Sequence, residues 1–455
     1  MRDLVVFFLF VMVLPISFMR PWVGVCAFTF LAYNRTQDLT WGFARTLPLS
    51  QFIAIAMLLG WLFIEFKPLP LRNKRVLAMV GLLAFVTFSM LLNNFSWELQ
   101  GTRYTDLVKV ILVSLLTGAL LTTRERLRQI TAVMAVGLGF FGFKNGVMFL
   151  LGSRSIIGPG GMLRDNNDFA LAMVMNLPLL WYLGTDVLRM RAGHYTHMFL
   201  RVMLRGALIF TPLTIVSTGS RGAFLSTSVG ALAVAWNTKW KVPALVGIVL
   251  IGMLGFTFAP AEYKARIMTI FDKAEEQDGS VQGRFTSWKV AGNMIVANPG
   301  TGIGFNRMVK EYNNYTTGIK NEEGTEEHFA RVAHNSYLQI WAESGTPAYM
   351  LFMGMVVGTV LSMMHLARRA RKEGMDWAAN YASAIQVSTI CYLVGATFLN
   401  RAHFDFIYQL VIIGSCLPRV MEHERTHFGA LRSGPRIAQG VTVRHPNPFV
   451  NVGAR

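Results

Sequence analysis

Long apolar runs alternate with short polar connections through most of the 455-residue chain. A helix needs roughly 20 residues to cross the hydrocarbon core of a bilayer, and repeated runs near that length are typical of a polytopic membrane protein. With 53% hydrophobic and 15% charged residues, the composition differs from that of an ordinary soluble domain. We therefore predict an all-α fold of about 12 transmembrane helices.

The first apolar run is the hardest to assign. Pro15 and the sequence Met-Arg-Pro at 19–21 interrupt it, so it is either one broken crossing or a helical hairpin. One crossing would put both termini on the same side of the membrane, whereas a hairpin would put the N-terminus on the other side. Counting this run once, the predicted crossings lie at about residues 4–33, 47–65, 76–92, 104–122, 128–151, 168–184, 199–216, 222–236, 242–259, 345–366, 379–398 and 403–420.

Basic residues predict the orientation. The formal net charge is +18, and Lys and Arg cluster in alternate connections, among them 67–75, 123–128, 238–241 and 367–372. Such connections face the cytoplasm by the positive-inside rule. We therefore predict that the basic connections interact with anionic membrane lipids, and we predict no nucleic-acid partner.

This orientation divides the chain into four parts. Residues 1–259 hold helices 1–9, and 260–344 form a large, partly helical periplasmic loop. Residues 345–420 hold helices 10–12, and 421–455 form a basic cytoplasmic tail that we expect to be disordered. Long structured loops usually carry function, so we expect the periplasmic loop to contribute to an active site.

Several ionisable groups are predicted on the outer face. Arg221 follows Gly219 in STGSRGAFLS, Arg284 and Trp288 lie in GSVQGRFTSWKVA, and His334 precedes an apolar helix. Two further arginines, Arg154 and Arg164, lie in the connection at 152–168.

Each of these residues also has a structural explanation. Arg221 could anchor a helix at the membrane interface, and Arg284 with Trp288 could lie on an amphipathic surface helix. Arg154 and Arg164 could be ordinary loop charges, and Asn335, next to His334, could simply cap the following helix.

Taken together, the same residues suit one reaction. A guanidinium binds phosphate oxygens through parallel N–H bonds, and glycines beside it let a bulky anion approach the backbone. A histidine of near-neutral pKa can accept a proton from a hydroxyl group. Arg221, Arg284 and His334 therefore predict a site at which a pyrophosphate leaves and a hydroxyl attacks. No Asp-x-Asp cluster is seen on the outer face, so we predict arginines in place of a metal ion, and no cofactor.

Four stretches resemble elements of the O-antigen ligase and O-antigen polymerase superfamily. STGSRGAFL resembles its Ser-Arg-Gly element, and NPGTGIGFNR at 298–307 resembles an element of its large periplasmic loop. HNSYLQIWAESG, which begins at His334, resembles the His-Asn element that follows, and RDNNDFALAMVMNLPLL at 164–180 resembles an Asp-x-Asn segment. The N-terminal region is similar to a subgroup of O-glycosylation ligases associated with exosortase systems.

The resemblance implies an inner-membrane glycosyltransferase with a GT-C-like fold and a periplasmic active site. Its donor would be a glycan linked to undecaprenyl pyrophosphate. A ligase would transfer that glycan to lipid A-core, a polymerase to another repeat unit, and a protein O-oligosaccharyltransferase to serine or threonine. We favour the ligase. A transporter of lipid-linked glycans is the alternative from another class.

By the same resemblance, Arg221 and Arg284 would bind the pyrophosphate and His334 would activate the acceptor hydroxyl. The residues implied in substrate binding are Arg164, Asn167, Arg154, Asn335, Tyr337, Trp288, Gly302 and Gly304. DNND stands where the family often has Asp-Pro-Asn, so the equivalent asparagine stays open.

Overall fold

The computed structural model describes residues 2–153, 158–161, 163–189, 193–238, 240–258, 264–265, 268, 279–319 and 330–432. Every regular element within these ranges is helical, as predicted. The longer helices are α1 Arg2–Met19, α2 Pro21–Asn34, α3 Leu49–Phe63, α4 Lys74–Leu92, α5 Trp97–Leu120, α6 Arg124–Leu150, α7 Asn166–Val187, α8 His194–Ser217, α9 Arg221–Asn237, α10 Lys241–Phe258, α11 Gly279–Ala297, α12 Ser336–Lys372, α13 Asp376–Gly395 and α14 Asp405–Arg432.

Six of these helices are long and apolar enough to cross a membrane, namely α1, α4, α6, α8, α12 and α13, the last with its short extension. The predicted number of about 12 crossings is therefore matched only in part by helix length and composition. Exposed apolar side chains are abundant on α1, α3 and α10, as expected where lipid rather than protein surrounds a helix.

The first apolar run is a hairpin. Arg20 separates α1 from α2, and Pro21 begins the second helix, where its missing N–H costs no hydrogen bond. The Asp3 carboxylate accepts hydrogen bonds from the backbone N–H groups of Gly42 and Ala44, which follow α2. The start of α1 and the end of α2 thus lie at the same end of the bundle. Of the two alternatives that the sequence left open, the structure favours the hairpin.

Helix α13 lies at the centre of the bundle and packs against α7, α9 and α12. Of its most apolar window, 72% is buried, against 6% for α1. One end of the bundle is held by the Asp186 carboxylate, which pairs with Arg124 at 2.5 Å and Arg128 at 3.1 Å. The opposite end, where α7, α9, α12 and α14 begin, is called the site end below.

The segment at 279–319 forms a small second core at the site end, with Val290, Met294 and Tyr312 buried inside it. It attaches to α12 through backbone bonds from Ile303 N–H to the Ala342 carbonyl and from Gly304 N–H to the Glu343 carbonyl, both 2.9 Å. This attachment holds α11 beside the start of α12.

Candidate active site

His334 has a left-handed backbone conformation, with φ of +47°. This region is unfavourable for most L-residues, so neighbouring contacts must hold it. On one side, the Trp288 indole N–H of α11 donates to the Ala333 carbonyl at 2.8 Å. On the other side, Asn335 N–H donates to the Asn400 side-chain oxygen at 3.1 Å. The histidine is therefore fixed from two separate parts of the chain.

Asn335 and Ser336, which follow His334, make further contacts that hold the start of α12. The Asn335 side chain caps α12 by accepting from the N–H groups of Tyr337 and Leu338, at 3.0 and 3.1 Å. The Ser336 hydroxyl donates to the Leu399 carbonyl and accepts from Arg401 N–H, at 2.6 and 2.8 Å. The His-Asn pair thus joins the start of α12 to the loop between α13 and α14.

His334 lines a cavity of about 350 Å³, called the histidine cavity below. Most of the residues in its wall are polar or ionisable. The other polar or ionisable residues of that wall are Arg103, Asp106, Asp165, Asn167, Asp168, Asn306, Gln339, Glu343, Asn400, Arg401 and His403. A cavity of this size with convergent polar groups is typical of a ligand or active site.

The pKa of His334 is lowered from its ordinary value, first by burial and then by the positive charge of Arg284. Arg331 lowers it further, whereas Asp165 opposes the shift. At neutral pH the imidazole is therefore neutral and able to accept a proton, as a general base requires.

Arg221 and Arg284 line a smaller cavity of about 100 Å³, called the arginine cavity below. Arg221 is the first residue of α9, and the Ser220 hydroxyl caps that helix by accepting from Ala223 N–H at 3.3 Å. Gly219 turns the chain into the helix with φ of +64°. Two guanidinium groups beside a helix N-terminus form a favourable environment for a polyanion.

The two cavities are neighbours, because Asn167 and Leu399 line both of them. Asn167 lies in the first turn of α7, and its N–H is held by the Asp165 carboxylate at 2.8 Å. The structure thus brings together Arg221, Arg284, His334 and Asn167, which come from four different segments of the chain.

Other predicted residues lie outside the cavity walls. Trp288 and Asn335 hold the backbone around His334, and the Tyr337 hydroxyl donates to the Leu393 carbonyl at 2.6 Å. Arg164 is exposed and lines neither cavity. Arg154 lies outside the described residues.

Gly302 and Gly304 line neither cavity and instead lie against the backbone of α12. Their φ angles are +67° and +100°, and a Cβ on Gly302 would lie 2.5 Å from the Glu343 carbonyl carbon. These glycines let the loop pack directly against the α12 backbone. Phe305 and Asn306, which follow, then reach the wall of the histidine cavity.

Several residues of the histidine cavity were not predicted from the sequence. Asp168 and Arg401 form an ion pair in the wall of the histidine cavity, and Glu343 is buried within α12. Both ring nitrogens of His403 are buried without a hydrogen-bond partner among the described residues. Burial and the Arg103 charge lower the pKa of His403 to about 4. An ionisable residue within or beside an apolar segment is itself a signal of function, and this signal could have identified them.

Two regions of the chain match known family models. Residues 206–353 match a family model described as O-Antigen ligase. Residues 1–183 match a second model, described as a family of unknown function. A search of curated proteins finds no match. The first match covers Arg221, Arg284 and His334, and together with the apolar helices it indicates a multi-pass membrane protein. The region from residue 206 to residue 353 is therefore similar to the O-antigen ligase family.

Proposed function

We propose that the protein is an O-antigen ligase. It transfers a glycan from undecaprenyl pyrophosphate to a sugar hydroxyl of lipid A-core, at the periplasmic face of a bacterial inner membrane. The observation that carries this proposal is the contact between the arginine and histidine cavities through Asn167 and Leu399. A leaving pyrophosphate and an attacking hydroxyl need such neighbouring environments, one cationic and one with a base.

The reaction is a single displacement at the anomeric carbon of the donor. The acceptor oxygen forms a bond to that carbon while the bond from carbon to the pyrophosphate oxygen breaks. The hydroxyl proton passes to the neutral His334 imidazole, and the electron pair leaves with the pyrophosphate. Arg221 and Arg284 stabilise the charge that develops on the leaving group. The configuration at the anomeric carbon is inverted.

The proposed reaction needs no metal ion, because two guanidinium groups can supply the positive charge that a divalent cation supplies elsewhere. Transfer should therefore continue in excess EDTA. A loss of activity that added Mg²⁺ or Mn²⁺ restores would contradict this part of the mechanism.

The proposed orientation puts the site end in the periplasm, where the sugars of both lipid substrates lie. Polymerase and protein O-oligosaccharyltransferase activities use the same donor chemistry and differ in the acceptor. A lipid-linked glycan transporter would use a basic cavity but would not require a proton acceptor such as His334.

The test is transfer by the purified full chain in lipid nanodiscs. The substrates are an undecaprenyl-pyrophosphate-linked glycan and lipid A-core, and a second acceptor glycan and a serine-containing peptide are supplied in parallel. We expect transfer to lipid A-core, and His334→Ala should lower kcat by about a hundred- to ten-thousand-fold without loss of donor binding.

Arg221→Ala is the companion variant, and it should weaken donor binding, turnover or both. Transfer only to the second glycan would indicate a polymerase instead of a ligase. Transfer only to the peptide would indicate a protein O-oligosaccharyltransferase. Full activity of His334→Ala would remove the histidine as the base.

A further inference from the structure

A third cavity, of about 440 Å³, lies beside the histidine cavity on the side of α2 and α5 and is called the α2–α5 cavity. Four residues line both cavities, namely Arg103, Asp106, Arg401 and Phe404. None of these four lines the arginine cavity. The histidine cavity thus opens to two neighbours through different walls, and only one of the two has the arginine pair proposed to bind pyrophosphate.

Three ion pairs lie in and around the α2–α5 cavity. Arg35 contacts Asp38 at 2.6 Å, and Lys109 contacts Asp106 at 3.3 Å. Arg401 pairs with Asp168 at the border with the histidine cavity. Arg103 and Asp405 also line the cavity, so four basic groups meet four acidic groups once Asp38 and Asp168, which adjoin it, are counted. Such a balance leaves little excess attraction for a polyanion such as pyrophosphate. It does present hydrogen-bond donors and acceptors side by side.

Sugar hydroxyls match such a lining, because each can donate to a carboxylate and accept from a guanidinium or ammonium group. The rings of Phe28 and Phe404 add apolar surface to the same wall. Arg103 lies at the border with the histidine cavity, and its side chain makes no hydrogen bond or ion pair with any residue that the structure describes. Its guanidinium can therefore donate to a ligand without breaking an existing contact.

The Arg35–Asp38 pair is held by an unusual backbone arrangement. Arg35 has φ of +43°, and Gly160 and Gly161 have φ of +84° and +54°. A Cβ on Gly160 would lie 2.5 Å from the Asp38 carboxylate, and one on Gly161 would lie 2.0 Å from the Arg35 guanidinium. Only glycines allow this turn to cover the ion pair so closely, which keeps both charged groups at the edge of the cavity.

We propose that the α2–α5 cavity binds the saccharide of the acceptor and presents its hydroxyl to His334. This inference rests on the proposed function. In this arrangement the donor pyrophosphate and the acceptor sugar reach the histidine cavity through its two different walls. Acceptor specificity then depends on the N-terminal half of the chain, which supplies α2, α5 and the turn at Gly160 and Gly161.

The test blocks this cavity alone. Thr102 is exposed on α5 and lines the α2–α5 cavity but neither of the other two, so Thr102→Trp fills the cavity from an exposed position. Lys109→Gln is a milder second variant, because Lys109 likewise lines only this cavity of the three. Glu98→Trp is the matched control, since Glu98 is an exposed residue in the first turn of α5 that lines none of them.

Two measurements on the full chain in nanodiscs are compared. The first is the acceptor KM in the transfer reaction, together with the Kd of the undecaprenyl-pyrophosphate-linked glycan. The second is direct binding of fluorescent, delipidated core oligosaccharide, which requires no turnover. We expect Thr102→Trp to raise the acceptor KM and the Kd of the core oligosaccharide by at least about tenfold, with the donor Kd unchanged. Lys109→Gln should show a smaller change in the same direction, and Glu98→Trp none.

The outcomes separate the two proposals. If the wild-type protein transfers no glycan but binds the core oligosaccharide in a manner that Thr102→Trp abolishes, the proposed reaction is wrong and the saccharide site stands. If Thr102→Trp transfers normally with an unchanged acceptor KM, the site is wrong and the reaction stands. Absence of saccharide binding by the wild type, or competition for transfer by a serine-containing peptide and not by the oligosaccharide, would also overturn the inference.

Discussion

His334 owes its position to backbone contacts made on both sides of it. Its left-handed φ is held by the Trp288 indole, which binds the preceding carbonyl, and by Asn400, which binds the following N–H. A base must lie within hydrogen-bond reach of the proton that it accepts, so these contacts matter even though neither side chain is proposed to touch substrate. We infer that Trp288 and Asn400 are positioning residues.

Trp288→Phe keeps an aromatic ring on α11 and removes only the hydrogen bond to the Ala333 carbonyl. One such bond contributes about 0.5–1.5 kcal/mol, so kcat should fall by about two- to thirteenfold while the donor Kd stays unchanged. Trp341→Phe is the control, because the Trp341 indole donates to Thr346 at 2.9 Å within α12 and away from the three cavities. Equal effects of the two substitutions on kcat would contradict a positioning role.

The pH dependence of transfer should reflect the environment of His334. A base is active when neutral, so the rate should fall as pH drops through the pKa of the histidine. Because burial and Arg284 lower that pKa, the acid limb should lie below the ordinary histidine value of about 6.5. Arg284→Gln removes one of the lowering charges and should move the limb to higher pH, whatever it does to the maximal rate. If the acid limb does not move, Arg284 does not lower the pKa of the catalytic group.

At the scale of elements, the segment at 298–307 acts as a clamp between the second core and α12. Ile303 and Gly304 bond to the carbonyls of Ala342 and Glu343, just before the kink at Gly345. The clamp joins α11, which carries Trp288 and Arg284, to the helix that follows His334. Its glycines are therefore needed for close packing, although the sequence analysis assigned Gly302 and Gly304 to substrate binding.

Gly302→Ala should destabilise this clamp, because the new Cβ would lie 2.5 Å from the Glu343 carbonyl carbon and φ is positive. Backbone strain of this kind costs on the order of 1–3 kcal/mol. We expect a lower Tm and faster proteolysis within 279–319. Gly300→Ala is the control, since a Cβ there meets no atom within 4 Å. The clamp would be discounted if both variants melted and were cleaved like the wild type.

At the scale of the whole molecule, the α1–α2 hairpin puts the N-terminus at the site end, whereas α14 runs from the site end towards the opposite end. With the three native cysteines replaced, single cysteines can be labelled in intact cells with a membrane-impermeant maleimide. A cysteine in an N-terminal tag and one at Arg45→Cys should be labelled alike, and Arg20→Cys should be protected. If the tag and Arg45→Cys were labelled from opposite sides of the membrane, the first apolar run would cross the membrane once and the hairpin would be wrong.

The similarity to the O-antigen ligase family and the helical architecture could be predicted from sequence because both depend on local patterns. Apolar runs identify membrane helices through their length, and Arg221, Arg284 and His334 lie in short motifs that can be read along the chain. The capping role of Asn335 was likewise visible as one of two explanations, and the structure confirms the cap.

Other features required the tertiary structure. The hairpin depends on a contact between Asp3 and residues 42–44, and the cavities depend on which helix ends meet. Asp168 and Arg401 are 233 positions apart, so no local pattern joins them. Sequence alone determined that this chain forms apolar helices with cationic groups and a histidine near their ends, because hydropathy acts over one helix length. Only the packing of distant helices decided which of those groups share a cavity, because that choice depends on contacts between segments far apart in the chain.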